Sequence, residues 1–514
     1  MSRLVFDGEE TLRASFVASL VLVLAVSSAS TVANAEDVAG AKNVILLIGD
    51  GFGAAQMSLA LQYRRLVESS PLHLESLMED GNSGYCLAMP YRSTVTDSAA
   101  AASQFATGEK TRNESLSLSV DGYRTETLVE WATSHGLDTG IVSNMRLSHA
   151  TPAAFAAHVP SRYESEAVIL DQMLVEHEVD VLLGGGARAL VPSGRRVGEI
   201  LPSLEGPLDG GSNRLDTRNR VEEATARGYT VVSDRASLRE AAASADKLLG
   251  LFAASHLPYV VDTRAQGLES VPSLAELTSA ATEVLSRADR GFFLVVEGGR
   301  IDYGGHDNDA GTMLHEILDF DAAIGTALQF QERHPDTLVL VTADHGTGGF
   351  SFSYSGFDGF PEPRSLPSGL TYEPHHYYPG REQLLLLHRQ TASFVRILEL
   401  AQGSPERLVE AVQEHVGIRI ELEEAREALE RDSEGNAWIQ DLRHFYGDQD
   451  SNPACLLGRV LAPHTFVVWS TGGHTTEPVL TFGRGPSASR LRGVYENTHV
   501  HAVMKDALSR YHAN

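Results

Sequence analysis

Four stretches of this sequence end in residues that could hold a metal ion. Asn43–Ile48 runs into Gly49-Asp50-Gly51 and Phe292–Val296 into Glu297-Gly298-Gly299. Thr337–Val341 runs into Thr342-Ala343-Asp344-His345-Gly346, and Thr465–Trp469 soon reaches Gly472-Gly473-His474. An acidic residue at a strand end is most simply an N-cap for the next helix. Four such ends, each beside glycine and two carrying histidine, fit a shared cation site better. Asp302 and His306 add a carboxylate and an imidazole four positions apart. On a helical turn they share a face, although Gly304-Gly305 could equally make a tight loop. Mixed Asp/His ligation suits Zn²⁺, and an all-oxygen set such as Asp50, Thr151 and Glu297 suits Mg²⁺. His315, His375, His376 and His464 read as surface or core histidines.

A nucleophile is available nearby in type. Thr96-Asp97-Ser98 precedes Ala99–Ala102 and Ser103, a polar turn meeting an alanine-rich helix. Ser98 in the first turn would sit among free amides at the positive end of the helix dipole, where a phosphate is favoured. Alone, Asp97-Ser98 is an ordinary N-cap. Beside cations, a serine hydroxyl becomes easier to ionise.

These residues need a scaffold that collects strand ends. Short apolar runs at 43–48, 139–142, 180–183, 229–232, 292–296, 337–341 and 465–469 read as strands, and they alternate with amphipathic stretches near 54–68, 98–106, 125–135, 164–177, 273–288 and 311–332. That alternation predicts an α/β fold, a large mostly parallel sheet with helices on both faces, whose ligands bind beyond the carboxyl ends of the strands. The pattern breaks between about 347 and 463. There the chain turns aromatic and loop-like, then helical and acidic, which reads as an insertion before the last ligand motif. At the other end, Arg3 and Arg13, the apolar run Phe16–Val26 and Ala33-Asn34-Ala35 read as a signal peptide cut after Ala35. The catalytic domain is then 36–514, exported to the periplasm or secreted, with no membrane anchor.

Composition limits the partners. Forty-one basic against 68 acidic residues give a formal charge of −27, which opposes nucleic acid as a binding partner. An anionic substrate must therefore be drawn by local positive charge. The two cysteines, Cys86 and Cys455, could pair but make neither a disulfide framework nor a metal site.

The ordered motifs Asn43–Gly51, Val95–Ala99, His149–Ala153 with Ala157–Arg162, Val296–Asp302 with His306, Thr342–His345 and Gly473–Thr475 resemble those of the alkaline phosphatases. The resemblance runs from about 43 to 346 and resumes near 465. It implies hydrolysis of phosphate monoesters through a phosphoserine intermediate, with Ser98 as nucleophile and Arg162 binding the phosphoryl group. It further implies one zinc ion held by Asp302, His306 and His474, a second by Asp50, Asp344 and His345, and a magnesium held by Asp50, Thr151 and Glu297. A homodimer is the corresponding expectation. His149 and Tyr303 depart from the best-known bacterial pattern, where aspartate and lysine stand, so they are expected to modulate the third site, even toward zinc. A phosphodiesterase or sulfatase would share several ligands, but no C-x-P-x-R motif surrounds Ser98 and Arg162 favours a monoester. A non-catalytic phosphate binder of the same compartment is the reading from another class, and retention of Ser98 argues against it.

Overall fold

The computed structural model describes residues 39–355, 362–430, 445 and 452–513. The expected signal peptide lies outside the described residues, as do parts of the 347–463 stretch. Ten strands form one sheet: β1 (Asn43–Gly49), β2 (Ser83–Leu87), β3 (Asp138–Arg146), β4 (Val181–Gly185), β5 (Tyr229–Val232), β6 (Lys247–Leu251), β7 (Phe292–Gly298), β8 (Thr337–Ala343), and, after six two-residue strands, β15 (Val479–Arg484) and β16 (Gly493–Glu496). The two-residue strands are β9 (Gly346–Thr347), β10 (Ser351–Phe352), β11 (Arg364–Ser365), β12 (Thr371–Tyr372), β13 (Val467–Val468) and β14 (His474–Thr475).

The sheet order is β16-β2-β15-β8-β1-β7-β3-β4-β6-β5. Only β15 runs antiparallel to its neighbours within it. Every residue of β1, β7 and β8 is buried, as unbroken apolar strands covered on both faces should be. The helix Ala310–Arg333 packs across this centre against the helix Leu274–Leu285 and against β1, β7 and β8.

Register makes the site. Gly49 of β1 pairs with Ala343 of β8 and Gly298 of β7, while Glu297 pairs with Ile48 and with Ser143 of β3. Asp50 and Asp344 thus leave adjacent strands at the same level, with Glu297 one step below. Gly51 has φ +70°, and a Cβ there would stand 2.8 Å from both the Asp302 Cα and the Thr347 Oγ1. Glycine is required for that turn.

Six of the seven expected strands are present in the sheet; the seventh is not. The helix Asn452–Thr465 continues through Thr465, whose hydroxyl donates to the Leu461 carbonyl, and Phe466 ends it with φ +59°. Only Val467–Val468 remain extended, paired with Ser351–Phe352 outside the main sheet. The β-rich composition of 465–469 was outweighed by the helix arriving from the amino-terminal side. Three strand ends therefore deliver ligands, and His474 comes from a short ribbon in which it pairs with Thr347. Strands β2, β6, β15 and β16 had no counterpart among the expected ones.

The 347–463 stretch contains the helices Arg381–His388, Phe394–Ala401, Pro405–His415 and Leu422–Ala428 before Asn452–Thr465. Phe394, Ile397, Leu408, Val412, Leu457 and Leu461 belong to a second apolar core separate from the main one. Cys86 and Cys455 are both buried and not joined by a disulfide, so the pairing left open by the sequence is not made. The Cys455 thiol instead donates to the His306 carbonyl at 2.8 Å.

Candidate metal-assisted active site

Ser98 opens the helix Ser98–Thr107, whose alanines let it lie buried from Ser98 to Ala106. Its cap, Asp97, accepts from the Ala100 amide at 2.9 Å and from the Glu114 amide at 3.0 Å. The same carboxylate takes a hydrogen bond from Arg162 Nη1 at 3.2 Å. Capping and positioning are therefore one function at Asp97, which the sequence showed only as a cap. Burial works against the Arg162 charge, but Asp97 and Asp50 outweigh it and raise its pKa.

Ser98 Oγ lies 3.2 Å from His345 Nε2. Thr347 donates its hydroxyl to Asp302, so its oxygen accepts from His345 Nδ1 at 3.3 Å. That tautomer leaves a lone pair on Nε2, which faces Asp344 Oδ2 at 3.2 Å and Asp50 Oδ1 at 3.5 Å. Those two carboxylate oxygens are buried without a hydrogen-bond partner. Electron pairs from three groups meet at one point, an arrangement only a cation or added protons can relieve.

A second confrontation lies beside it. The helix Arg300–His306 places Asp302 and His306 on one face, resolving the helix-or-loop alternative. His306 Nδ1 faces the Gly472 carbonyl, and His474 Nδ1 donates to the Thr96 carbonyl at 2.9 Å. Both Nε2 lone pairs then point inward, 3.1 Å apart, with Asp302 Oδ2 3.2 Å from His306 Nε2. Asp302 Oδ1 is 3.8 Å from His474 Nε2.

A third group joins Asp50, Glu297 and Thr151. Thr151 Oγ1 reaches Asp50 Oδ2 at 3.5 Å, and Ser143 donates to Glu297. His149 caps the helix Ala150–Ala154, with Nδ1 3.4 Å from Glu297 Oε1 and 3.9 Å from Asp50 Oδ2. Its Nε2 accepts from Arg162 Nη2 at 3.2 Å, so the ring proton sits on Nδ1 and the imidazole bridges Arg162 to Glu297. Burial lowers its pKa to about 4, which keeps it neutral. Tyr303 stands apart: its hydroxyl meets His256 Nε2 at 3.4 Å, and its ring centroid is 6.0 Å from that of His149.

Electrostatics identifies what the cluster lacks. Burial, then repulsion from Asp344, Asp302 and Glu297, raises Asp50 well above the carboxylate range. Burial and the Asp302 charge push Asp344 up to about 8. Burial opposes the Asp302 charge too, yet His306, His474 and His345 outweigh it and hold its pKa well below the usual value. Burial also lowers His345 and His474, leaving neutral imidazoles suited to ligation. Carboxylates and neutral histidines facing inward fit divalent cations, and the donor chemistry fits the mixed and oxygen-rich sites expected above.

All the expected site residues except Tyr303 converge here. The sequence missed Ser143 and Thr347. Ser143 could have been found from the same strand-end rule, since it directly follows the apolar run 139–142 in β3. Thr347 carried no local signal.

The chain matches the family model described as alkaline phosphatase over residues 41–373. It is 30% identical to Alkaline phosphatase 3 of Bacillus subtilis (strain 168), over 89% of this chain and 87% of that protein. It is 36% identical to the streptomycin-6-phosphate phosphatase of Streptomyces griseus, over 65% of this chain and 80% of that protein. Among solved structures, Thermus thermophilus alkaline phosphatase superposes with a TM-score of 0.78 at 31% identity, covering 92% of each chain.

Proposed function

The chain belongs to the alkaline phosphatase family, metal-dependent enzymes that hydrolyse phosphate monoesters, and we propose that Ser98 is its nucleophile and Arg162 its phosphate-binding residue. The observation that carries this is the meeting of Ser98 Oγ with His345 Nε2 at 3.2 Å beside two partnerless carboxylate oxygens, with Arg162 held across from it by Asp97. In this reading Asp302, His306 and His474 hold one zinc ion, Asp50, Asp344 and His345 a second, and Asp50, Thr151 and Glu297 a magnesium ion. When bound, these cations supply the positive charge that lowers the pKa of a hydroxyl and neutralises phosphoryl oxygens. Ser98 Oγ attacks phosphorus in line with the departing alcohol oxygen and forms a phosphoserine. Water then cleaves the new P–O bond, releasing phosphate and restoring the serine. The Arg162 fork binds two non-bridging oxygens, which selects a terminal phosphoryl group over a diester.

His149 bears on the third cation. Its donation to Glu297 and its contact with Arg162 must both be given up before Nδ1 can ligate, so the present arrangement favours magnesium over zinc there. Magnesium activation measured in wild type and in His149→Asp tests this: equal activation constants would remove His149 from any role at that site.

Export after cleavage behind Ala35, homodimer formation and a role for the 347–463 insertion in subunit contact or in shaping the entrance belong to the same proposal. Among the described residues no helix is long and apolar enough to cross a membrane. The decisive experiment is acid quenching of enzyme turning over ³²P-labelled monoester, followed by peptide mapping. Label on Ser98 is expected, together with a strong preference for monoester over diester. Steady turnover with no labelled serine would overturn the covalent route.

A further inference from the structure

A different cluster stands where the helix Leu128–Ser134 packs on β3 and β7. Glu130 lies in the helix Leu128–Ser134, His158 in the connection after the helix Ala150–Ala154, and His177 just after the turn Gln172–Glu176. One ligand atom from each lies within 4.8 Å of the others. We infer that Glu130, His158 and His177 form a separate divalent-cation position of the zinc class, which ties these three elements together outside the catalytic cluster.

Two observations support it. First, His158 Nδ1 donates to the Ser117 carbonyl at 2.8 Å, so its Nε2 lone pair faces Glu130 Oε2 at 3.1 Å. Two acceptors at that distance need a positive charge between them. Second, the other carboxylate oxygen, Oε1, turns to His177 Nδ1 at 3.6 Å, beyond a good hydrogen bond. A single proton on His158 would satisfy one imidazole and leave the second idle. A tetrahedral zinc ion with bonds near 2.1 Å sets its donors about 3.4 Å apart, and the two separations here bracket that value.

Charge around the cluster is compatible with a cation. Burial opposes the Glu130 charge, but the close approach of His158 and the Thr127 amide, which donates to Oε2 at 2.7 Å, hold its pKa down at about 2. Burial lowers the pKa of His177, leaving its lone pair free at neutral pH. The nearby Arg124 is neutralised by its ion pair with Glu176. Two imidazoles and a carboxylate match the protein ligands of a zinc ion.

The consequence is mechanical. The His158 amide donates to Gln172 Oε1 at 2.7 Å, Val159 bridges to Leu116, and the Arg162 amide donates to the Glu114 carbonyl. A cation here would clamp the stretch that carries Arg162 without touching substrate.

The test uses full-length enzyme dialysed against micromolar ZnCl₂ with magnesium present, followed by elemental analysis. Wild type should retain one zinc more per chain than His177→Ala, with kcat for p-nitrophenyl phosphate changed by less than about twofold. Equal zinc contents overturn the inference. Should His177→Ala fail to fold, zinc-edge anomalous maps of wild-type crystals soaked in ZnCl₂ decide: a peak among the three side chains supports the site. Peaks confined to the catalytic cluster overturn it and leave a protonated His158 as the partner of Glu130.

Discussion

The carboxyl edge of the central sheet and the helical part of the 347–463 stretch both bury polar groups, under opposite rules. In that stretch, Ser393 and Ser404 cap their helices, and Pro405 takes the first helical position. Where it meets the body, Asp309 accepts from the Phe394 amide and Gln390, and Asp262 from the Ser393 amide and hydroxyl. Each of those buried carboxylates has its donors. At the sheet edge, Asp50 and Asp344 have buried oxygens with none, and imidazole lone pairs face each other. One region satisfies its own chemistry. The other is incomplete without cations, and local rules fail there because function requires them to.

The largest expected effect breaks function without touching stability. Ser98→Ala should lower kcat by about three orders of magnitude or more, since the hydroxyl acts only along the reaction path. Its Tm should stay within about 2 °C of wild type, because the cap at Asp97 is intact. Kinetics paired with calorimetry check this, and comparable turnover would place the nucleophile elsewhere.

Removing a ligand should come next. Asp302→Ala or His474→Ala should lose one metal equivalent by elemental analysis and most of the activity, while the metal-free protein keeps its fold. Full metal content in both variants would contradict the ligand set.

The reverse experiment is made in the second apolar core. Leu408 is fully buried in the second core, so Leu408→Ala should cost about 2–5 kcal/mol in denaturant unfolding. Turnover per folded molecule should be unchanged at 25 °C. A parallel fall in kcat would mean that the two regions are not energetically separable.

The smallest effect concerns pH. Asp344 is raised from 3.8 to about 8 and Asp50 is raised as well, so their folded pKa values exceed the unfolded ones. Stability from such groups is fully present below the unfolded value and is lost as pH rises through the folded one. The lowered histidines pull the other way only below their ordinary 6.5. Chelated enzyme should therefore lose about 1 kcal/mol per unit between pH 7 and 8, more than metal-loaded enzyme does. Parallel pH slopes for the two forms would show that the carboxylates are already neutralised by other means.

Local pattern carried much of the site. Asp50, Glu297 and Asp344-His345 were legible because strands β1, β7 and β8 are unbroken apolar runs that stop at glycine-flanked polar residues. The helical face shared by Asp302 and His306 was legible as one of two alternatives. The strand at 465–469 was misread because β-rich composition over five residues cannot reveal that a helix already occupies its start. The cluster of Glu130, His158 and His177 was invisible, since its members lie on three separate elements and only the fold brings them together.

The sequence by itself determined which residue types reach the edge of the sheet, because strand periodicity and glycine punctuation act over a few neighbouring residues. Only the tertiary structure decided how they face one another: the level match of Asp50 with Asp344, the arrival of His474 on a ribbon, and the tautomers set by the Thr96 and Ser117 carbonyls. Those outcomes depend on distances between groups far apart along the chain, and a few tenths of an ångström separate a hydrogen bond from two opposed lone pairs. No local pattern encodes that spacing.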